Sequence, residues 1–299
     1  MTKVQCVLDC QNKLGEGVIW DSAEKVLWWV DVLMPSAIHR LDPNSGAHRQ
    51  WVMPEMVMSL SKRRDGTLLV ASHHGLNVFN PAEGSLKRIA GPETDQPLNR
   101  SNDGGTDAKG RFWFGTMRNN IAADNSYIDV PEDLGSLYRM GADLLPVRMD
   151  GPFGISNSTA WSPDARTMYF ADTRAGCIYA YDFDLALGAI SNRRTFSNLQ
   201  DHGYPDGSCV DAEGFLWNAR WEGGCVIRFA PDGSIDRIVK VPASRVTCCA
   251  FGGDDLSTLF VTTSRLHLTA EELAGQPQAG GLFSCRPGLT GQAPNQFTG

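Results

Sequence analysis

DAEGFLWNAR (211–220) and DAKGRFWFGT (107–116) share one plan, in which a turn around Asp and Gly is followed by a short run of apolar and aromatic residues. Asp and Gly favour tight turns, and a short apolar run bounded by turn residues is typical of a β-strand. Four related copies occur elsewhere in the chain: DSAEKVLWWVD (21–31), RRDGTLLVAS (63–72), SPDARTMYFAD (162–172) and GGDDLSTLFVTT (252–263). The sequence therefore contains six related units.

The spacing of these units predicts the architecture. One apolar residue of each copy serves as an anchor: Leu27, Leu68, Phe112, Met168, Leu216 and Leu259. The anchors are 41, 44, 56, 48 and 43 residues apart, and a period of about 40–50 residues is typical of a propeller blade. We therefore expect an all-β fold, a six-bladed β-propeller with four-stranded antiparallel blades around a central channel. It would form a single domain over residues 1–299; a long β-sandwich or a β-solenoid is the alternative, and both fit the period poorly.

The two ends of the repeat array predict how the ring closes. A strand predicted at 4–9 precedes the first copy, and we expect it to pair near 281–285 and complete the last blade. Only TAEELAG (269–275) is predicted to form a helix, and a short one.

Composition excludes several classes of function. The net charge of −7 and the lack of a Lys/Arg-rich run argue against a nucleic-acid partner. We expect no membrane partner either, because the first residues lack a signal peptide's apolar core and no apolar stretch is long enough to span a bilayer. The eight cysteines form no CxxC pair, so buried reduced thiols are favoured over a disulfide framework. A cytoplasmic protein is expected, and its oligomeric state stays open.

Two similar stretches, YPDGSCVD (204–211) and APDGSIDR (230–237), differ in their place within the repeat. Asp232 follows its blade's apolar run, in a simple hairpin turn. Asp206 lies 10 residues before an anchor, and three other blades have a polar residue 10 or 11 positions before theirs: Glu16, Asn102 and Asn157. The two remaining blades would place Ser59, and Thr247 or Cys248, at this position.

The strand before each anchor is expected to be the innermost of its blade and to line the channel. Chance polarity in a wet channel is one interpretation of these residues. Two carboxylates and two carboxamides at one channel mouth instead favour a cation site, because the like charges would otherwise repel. Oxygen ligands suit Ca²⁺, Mg²⁺ or Mn²⁺. No histidine occupies the aligned position, so a His-rich zinc site is not expected.

Five motifs resemble the gluconolactonase/regucalcin-like (senescence marker protein) family of sugar lactonases. They are LGEGVIWD (14–21), NRSNDG (99–104), WFGTM (113–117), GISNSTAWSPD (154–164) and YPDGSCVDAEGFLW (204–217). The resemblance extends over all six blades. It implies a six-bladed propeller that binds a divalent metal and hydrolyses sugar lactones.

The resemblance also implies residue roles. Glu16, Asn157 and Asp206 would bind the metal, Asp206 would also be the general base, and Arg100 and Asn102 would contact sugar hydroxyls. The cofactor would be one divalent ion, Ca²⁺, Mg²⁺, Mn²⁺, Zn²⁺ or Fe²⁺. The substrate would be an aldonolactone such as glucono-, galactono-, xylono- or arabinonolactone, with or without an anionic substituent.

Two departures from the family pattern lie near these positions. Ser158 replaces a glycine that the family commonly has beside the metal ligand Asn157. Arg220 and Trp221 occupy positions where many relatives have smaller or uncharged residues.

The second strand of each blade should return to the same mouth and bring further residues to the entrance. These are His73, His74, Met117, Arg118, Thr173, Arg174, Arg220 and Trp221. Their arginines and histidines indicate a polyhydroxylated or anionic ligand. The alternatives to a lactonase are a metal-dependent esterase or phosphotriesterase of the same fold, and a non-catalytic calcium-binding propeller. The Arg100 and Asn102 motif favours a sugar, because an apolar ester has little use for such donors.

Overall fold

The computed structural model describes residues 2–299, which form 24 β-strands and one short helix. The first strands are β1 (Gln5–Leu8), then blade 1 with β2 (Gly15–Asp21), β3 (Val26–Asp31), β4 (Ala37–Leu41) and β5 (His48–Val52). Blade 2 has β6 (Val57–Lys62), β7 (Leu68–Ser72), β8 (Gly75–Asn80) and β9 (Ser85–Ala90). Blade 3 has β10 (Asn99–Thr106), β11 (Phe112–Arg118), β12 (Gly135–Met140) and β13 (Pro146–Phe153).

The second half repeats this plan. Blade 4 has β14 (Ser156–Trp161), β15 (Thr167–Asp172), β16 (Cys177–Asp184) and β17 (Ala189–Ser197). Blade 5 has β18 (Tyr204–Val210), β19 (Leu216–Trp221), β20 (Cys225–Phe229) and β21 (Ile235–Lys240). Blade 6 has β22 (Val246–Gly252), β23 (Thr258–Thr263) and β24 (Leu282–Cys285), with α1 (Ala270–Gly275) between its last two strands. The six sheets are each four-stranded and antiparallel, which confirms the predicted six-bladed propeller.

Blade 6 is completed by the first strand of the chain. β1 pairs antiparallel with β24, with Gln5 opposite Ser284 and Cys6 opposite Phe283. This pairing confirms the predicted ring closure. The short helix is confirmed as well, and its start is fixed by a capping box between Thr269 and Glu272.

The repeated aspartate ties the turn to the strand that follows it. Asp107 Oδ2 accepts a hydrogen bond from Trp113 Nε1 at 2.9 Å, and Asp211 Oδ2 accepts one from Trp217 Nε1 at 2.8 Å. Both tryptophans are fully buried between blades. The repeat that predicts the blades is therefore a physical unit, in which a buried ring is held by the carboxylate of its own turn.

Six buried clusters of apolar side chains form the core, and several of them join neighbouring blades. Trp28 of blade 1, for example, shares a cluster with Leu60 and Val70 of blade 2. Each fully buried side chain of this size contributes roughly 1.5–3 kcal/mol. The eight cysteines are all free, as expected, but only five are buried, and Cys6, Cys10 and Cys209 are partly exposed. Residues 2–299 include no helix with the length and apolarity that crossing a bilayer requires.

The innermost strands carry a bulge at the same level in all six blades, and pairing defines the equivalent positions. The inner-strand residues opposite the anchors are Trp20, Lys62, Thr106, Trp161, Val210 and Phe251. Four positions earlier lie Glu16, Met58, Asn102, Asn157, Asp206 and Thr247. Counting along the inner strand thus gives Met58 in blade 2, whereas pairing across the bulge gives the predicted Ser59, which lies opposite Ala71, three residues after its anchor, as Glu16 lies opposite Val30. In blade 6 the same two measures give Thr247 and Cys248, the two residues that were predicted.

The C-terminal strap, residues 290–299, crosses the end of the channel where the inner strands finish. Gln292 Nε2 donates to the carbonyls of Trp161 and Val210 at 3.1 and 3.3 Å. Farther along, Phe297 is 1% exposed and packs in a cluster with residues of blades 2 and 3. The strap covers this end, so the opposite end of the channel is where an open site lies.

Candidate functional site

A cavity of about 250 Å³ lies at the end of the channel where the inner strands begin. Its wall includes all five residues predicted to form the site: Glu16, Arg100, Asn102, Asn157 and Asp206. They come from β2, β10, β14 and β18, four inner strands of four different blades. The propeller thus brings together residues that are far apart in sequence, such as Glu16 and Asp206, which are 190 positions apart. Their roles in binding and catalysis remain predictions.

The carboxylates of this cavity lie deep in the protein. Asp206 is 4% exposed, and burial together with the charge of Asp103 raises its pKa well above the usual range. Burial and the charges of Asp206 and Asp103 likewise raise the pKa of Glu16. Asp103 is a third acid that the sequence reasoning did not single out, although it belongs to the quoted NDG motif; burial raises its pKa to about 6.

A directed row of hydrogen bonds orients the two carboxamides. Arg100 Nη1 donates to Asn102 Oδ1 at 2.7 Å, and Asn102 Nδ2 donates to Asn157 Oδ1 at 3.0 Å. Asn157 Nδ2 in turn donates to Thr173 Oγ1 at 2.7 Å, and that hydroxyl donates to the carbonyl of Pro205 at 2.6 Å. An amide oxygen has two lone pairs, so Asn157 Oδ1 keeps one for a further partner.

Ser158, the departure from the family pattern, holds the backbone of Asp206. It adopts a φ of 56°, close to the 59° of Gly17, the residue after Glu16 in the equivalent strand. Its buried hydroxyl donates to the Asp206 carbonyl, which also accepts a hydrogen bond from Asn218 Nδ2 at 2.9 Å. The serine therefore keeps the backbone shape of a glycine and adds a bond to the next blade.

Gly207, the residue after Asp206, is a glycine because a side chain there would clash with the neighbouring blade. A Cβ on Gly207 would lie 2.6 Å from Cys248 Sγ and 3.0 Å from the Cys248 Cα, because the inner strands of blades 5 and 6 approach closely there. Asp232, in the look-alike stretch, instead accepts bonds from the amide and hydroxyl of Ser234 in an exposed turn. The two PDG stretches thus differ as predicted.

The oxygen atoms of this cavity fit a divalent cation. Asp206 Oδ1 is buried and accepts no hydrogen bond. No group of three or more His, Cys, Asp or Glu side chains is arranged to hold a metal within residues 2–299. The candidate donors are accordingly two carboxylates, Glu16 and Asp206, and the amide oxygen of Asn157. Two buried acids of like charge are strongly destabilised unless they are protonated or share a cation, and oxygen-only donors suit hard ions.

The predicted entrance residues divide into two groups. Met117, Thr173 and Trp221 line the cavity. His73 and His74 line a separate cavity of about 230 Å³ between blades 2 and 3, which meets the first only at Arg100.

None of the three predicted entrance arginines lines the cavity. Arg220 is 1% exposed and donates to the carbonyls of Leu199, His202 and Gly203, which makes it a support for that loop. Arg174 donates to the carbonyls of Val130 and Pro131. Arg118 is absent from the cavity wall.

Other polar residues of the wall were missed. Asn120 accepts a hydrogen bond from Arg100 Nη2 at 3.1 Å, and it follows β11 by two residues. Arg245 directly precedes β22, just as the wall residues Leu14 and Ile155 directly precede β2 and β14. The position immediately before an inner strand is thus a signal that could have found Arg245. His267 and Tyr127, on two loops, meet edge to face with ring centroids 6.1 Å apart.

Comparison with known proteins finds relatives that match almost the whole chain. The model of the SMP-30/Gluconolactonase/LRE-like region matches residues 14–265. The 6-deoxy-6-sulfogluconolactonase of Pseudomonas putida is 36% identical over 301 residues, covering 99% of both proteins. The L-arabinolactonase of Azospirillum brasilense is 36% identical over 294 residues, covering 97% of this chain and 94% of that protein.

A solved structure agrees with these matches. The calcium-binding protein regucalcin from Agrobacterium tumefaciens superposes with a TM-score of 0.90 at 32% identity, covering 99% of this chain and 97% of that one. The protein therefore belongs to the SMP-30/gluconolactonase/LRE-like family.

Proposed function

We propose that this protein is a lactonase that hydrolyses sugar lactones to sugar acids with the help of a divalent metal ion. The observation that carries the proposal is the buried pair Glu16 and Asp206, which lies in one cavity with the polar side chains of Arg100 and Asn102. The full-length relatives named as lactonases for 6-deoxy-6-sulfogluconolactone and L-arabinolactone support this chemistry.

Glu16, Asn157 and Asp206 would hold the metal through oxygen. A divalent ion held there would polarise the lactone carbonyl and stabilise negative charge on its oxygen, a contribution of several kcal/mol. Regucalcin, a relative described as calcium-binding, supports a hard ion such as Ca²⁺. Mg²⁺, Mn²⁺, Zn²⁺ and Fe²⁺ are to be compared with it.

Asp206 would act as the general base. Its Oδ1 atom has no hydrogen-bond partner in the protein and is free to accept a proton from the attacking water. Attack on the carbonyl carbon forms a tetrahedral oxyanion, and its collapse breaks the bond between that carbon and the ring oxygen. The ring oxygen leaves as an alkoxide and takes up a proton, which yields the hydroxy acid.

Arg100 and Asn102 would position the sugar. Arg100 is 4% exposed and anchored on Asn102 and Asn120, so the three polar groups present a fixed edge to the cavity. Such a preorganised edge suits a hydroxylated ring better than an apolar ester.

An assay of proton release tests the proposal against both alternatives. The substrates are a panel of aldonolactones, an aryl ester and a phosphotriester, each with EDTA and with each metal added back. We expect metal-dependent turnover of at least one aldonolactone above spontaneous opening. Preferred turnover of the aryl ester or phosphotriester would favour the esterase, and calcium binding without turnover would favour the non-catalytic propeller.

A further inference from the structure

We propose that the cavity accepts a lactone with an anionic group at the end remote from its carbonyl, and that Arg245 binds this group. The inference rests on the proposed lactonase function and names its substrate class: aldonolactones with a phosphate, sulfonate or carboxylate on the terminal carbon.

Arg245 has more unpaired donor atoms than the other arginines with little exposure, since Arg100 lacks a partner only at Nε and is bonded through both Nη atoms. Its side chain is 11% exposed, and its Nε and Nη1 atoms are buried without a hydrogen-bond partner. Arg228, by contrast, contacts three carboxylates at 2.5–2.9 Å, and Arg220 is bonded to three carbonyls. A buried cation with unmet donors is costly, and such a group on the wall of a binding cavity is explained by a ligand that supplies the acceptors.

Glu222, an acidic residue of the cavity wall, could compete with a ligand for the Arg245 guanidinium. Arg245 Nη2 lies 3.7 Å from Glu222 Oε1, which is too long for a hydrogen bond. The Glu222 side chain is 51% exposed, so it can turn to solvent when another anion arrives. Glu272 also acts on Arg245, but its carboxylate is bonded to Thr269 at the start of α1. Neither acid therefore satisfies the guanidinium.

The surroundings of Arg245 favour binding of an anion. Its guanidinium lies 5.2 Å from the ring centre of Trp221, a cation–π contact that limits where the group can point. The neighbouring wall is apolar, with Leu14, Ile121 and Leu266. A charge pair formed among such side chains is weakened less by solvent than one on the open surface.

Strand geometry separates Arg245 from the reacting centre by a suitable distance. Thr247 occupies in blade 6 the position that Asp206 occupies in blade 5, and Arg245 lies two residues closer to the mouth. Two residues of extended chain span roughly 7 Å. That offset along the channel is comparable with the length of a six-carbon lactone, which in the proposed binding mode has its carbonyl toward Asp206 and its terminal carbon toward Arg245.

The test compares glucono-1,5-lactone with its C6-phosphate and C6-sulfonate analogues. The variants are Arg245→Gln, Arg245→Lys and, as a matched control, Arg118→Gln, whose arginine is outside the cavity wall. For the wild type we expect kcat/KM to be higher for an anionic lactone than for the neutral one. Arg245→Gln should lower the anionic-to-neutral ratio by roughly 10–100-fold, the worth of a charged hydrogen bond, Arg245→Lys should restore part of it, and Arg118→Gln should leave it unchanged.

Other outcomes separate the two proposals. Turnover of the neutral lactone with a ratio that is the same in the wild type and in Arg245→Gln overturns the anionic subsite and leaves the lactonase standing. No metal-dependent turnover of any lactone overturns the lactonase itself. Thermal melting of each variant checks the fold, and competitive inhibition of neutral-lactone turnover by inorganic sulfate, weakened in Arg245→Gln, provides a second measure of the subsite. A loss of the ratio for only one analogue identifies whether phosphate or sulfonate is preferred.

Discussion

Asn102 Nδ2 donates a hydrogen bond to Asn157 Oδ1 at 3.0 Å, and this contact links a predicted sugar-binding residue to a predicted metal ligand. The bond runs between blades 3 and 4 and fixes which atom of each amide faces the other. We therefore expect substrate contact at Asn102 and metal binding at Asn157 to be coupled, because a shift of Asn102 moves the donor that holds the Asn157 oxygen.

Thr173→Val should weaken metal binding. The Thr173 hydroxyl accepts from Asn157 Nδ2 and thereby sets the orientation of the amide. Loss of such an outer partner typically costs about 10–100-fold in metal affinity. Isothermal titration of the metal-free variant measures the effect, with Thr195→Val on the outer strand β17 as the control. Unaltered affinity would show that Thr173 does not orient a ligand.

Asp206→Asn should distinguish the role of Asp206 as general base from its role as metal ligand. The variant keeps an oxygen that can coordinate the metal but loses the group that accepts the proton, so turnover should fall by about 10²–10⁴-fold. Metal content at saturation should largely survive. Asp232→Asn, in the look-alike exposed turn, should change almost nothing, because Asn also suits that turn.

The measurement must subtract spontaneous ring opening, which sets the lower limit of detection. Near-normal turnover of metal-loaded Asp206→Asn would require another base. Equal losses in both variants would mean that Asp206 is only a turn residue.

The metal-free protein should lose stability as the pH rises from about 4 to about 6 and beyond. Burial raises the pKa of Glu16 and Asp206, and that of Asp103 to about 6, whereas unfolded carboxyls titrate near pH 4. The folded state therefore binds these protons more tightly, and the stabilisation is present below the unfolded pKa and lost as the pH passes the folded values. A bound cation removes the penalty on the charged forms.

Thermal melting in EDTA and in Ca²⁺, at pH 5 and at pH 7.5, checks this linkage. The gain in Tm from the metal should be larger at the higher pH, and Glu16→Gln should reduce the dependence. An equal gain at both pH values would contradict it.

Ser158 offers a test of backbone shape against hydrogen bonding. Ser158→Ala loses the bond to the Asp206 carbonyl and keeps a side chain at a φ of 56°, so it should destabilise the protein by about 1–3 kcal/mol. Ser158→Gly loses the same bond but removes about 1–2 kcal/mol of left-handed strain, and should be the more stable of the two. Urea unfolding of both variants measures the order, and a glycine variant weaker than alanine would refute the explanation from strain.

The sequence predicted the blades because turn and strand repeat as a unit, with Asp107 and Trp113 as one instance of the physical bond behind it. The position of the site residues along the inner strands could be predicted as well, because pairing with the anchor strand limits where Glu16 and Asp206 can lie. Ser59 pairs at the same level as Glu16 but does not line the cavity. The burial of Arg220 depends on three loop carbonyls, and no local pattern indicates where those carbonyls lie.

The C-terminal strap has a consequence for how the protein reaches its native state. Arg63 Nε donates to the carbonyl of Gly299 at 2.7 Å, and the strap contacts blades 2 to 6. Blade 6 is likewise complete only after β1 has paired with β24, and these two strands are separated by most of the sequence. Contacts of such high sequence separation form late and slow folding. A ribosome-bound chain that ends before residue 282 has neither cover for the channel nor a finished ring, so we expect this propeller to reach its native state after synthesis rather than blade by blade during it.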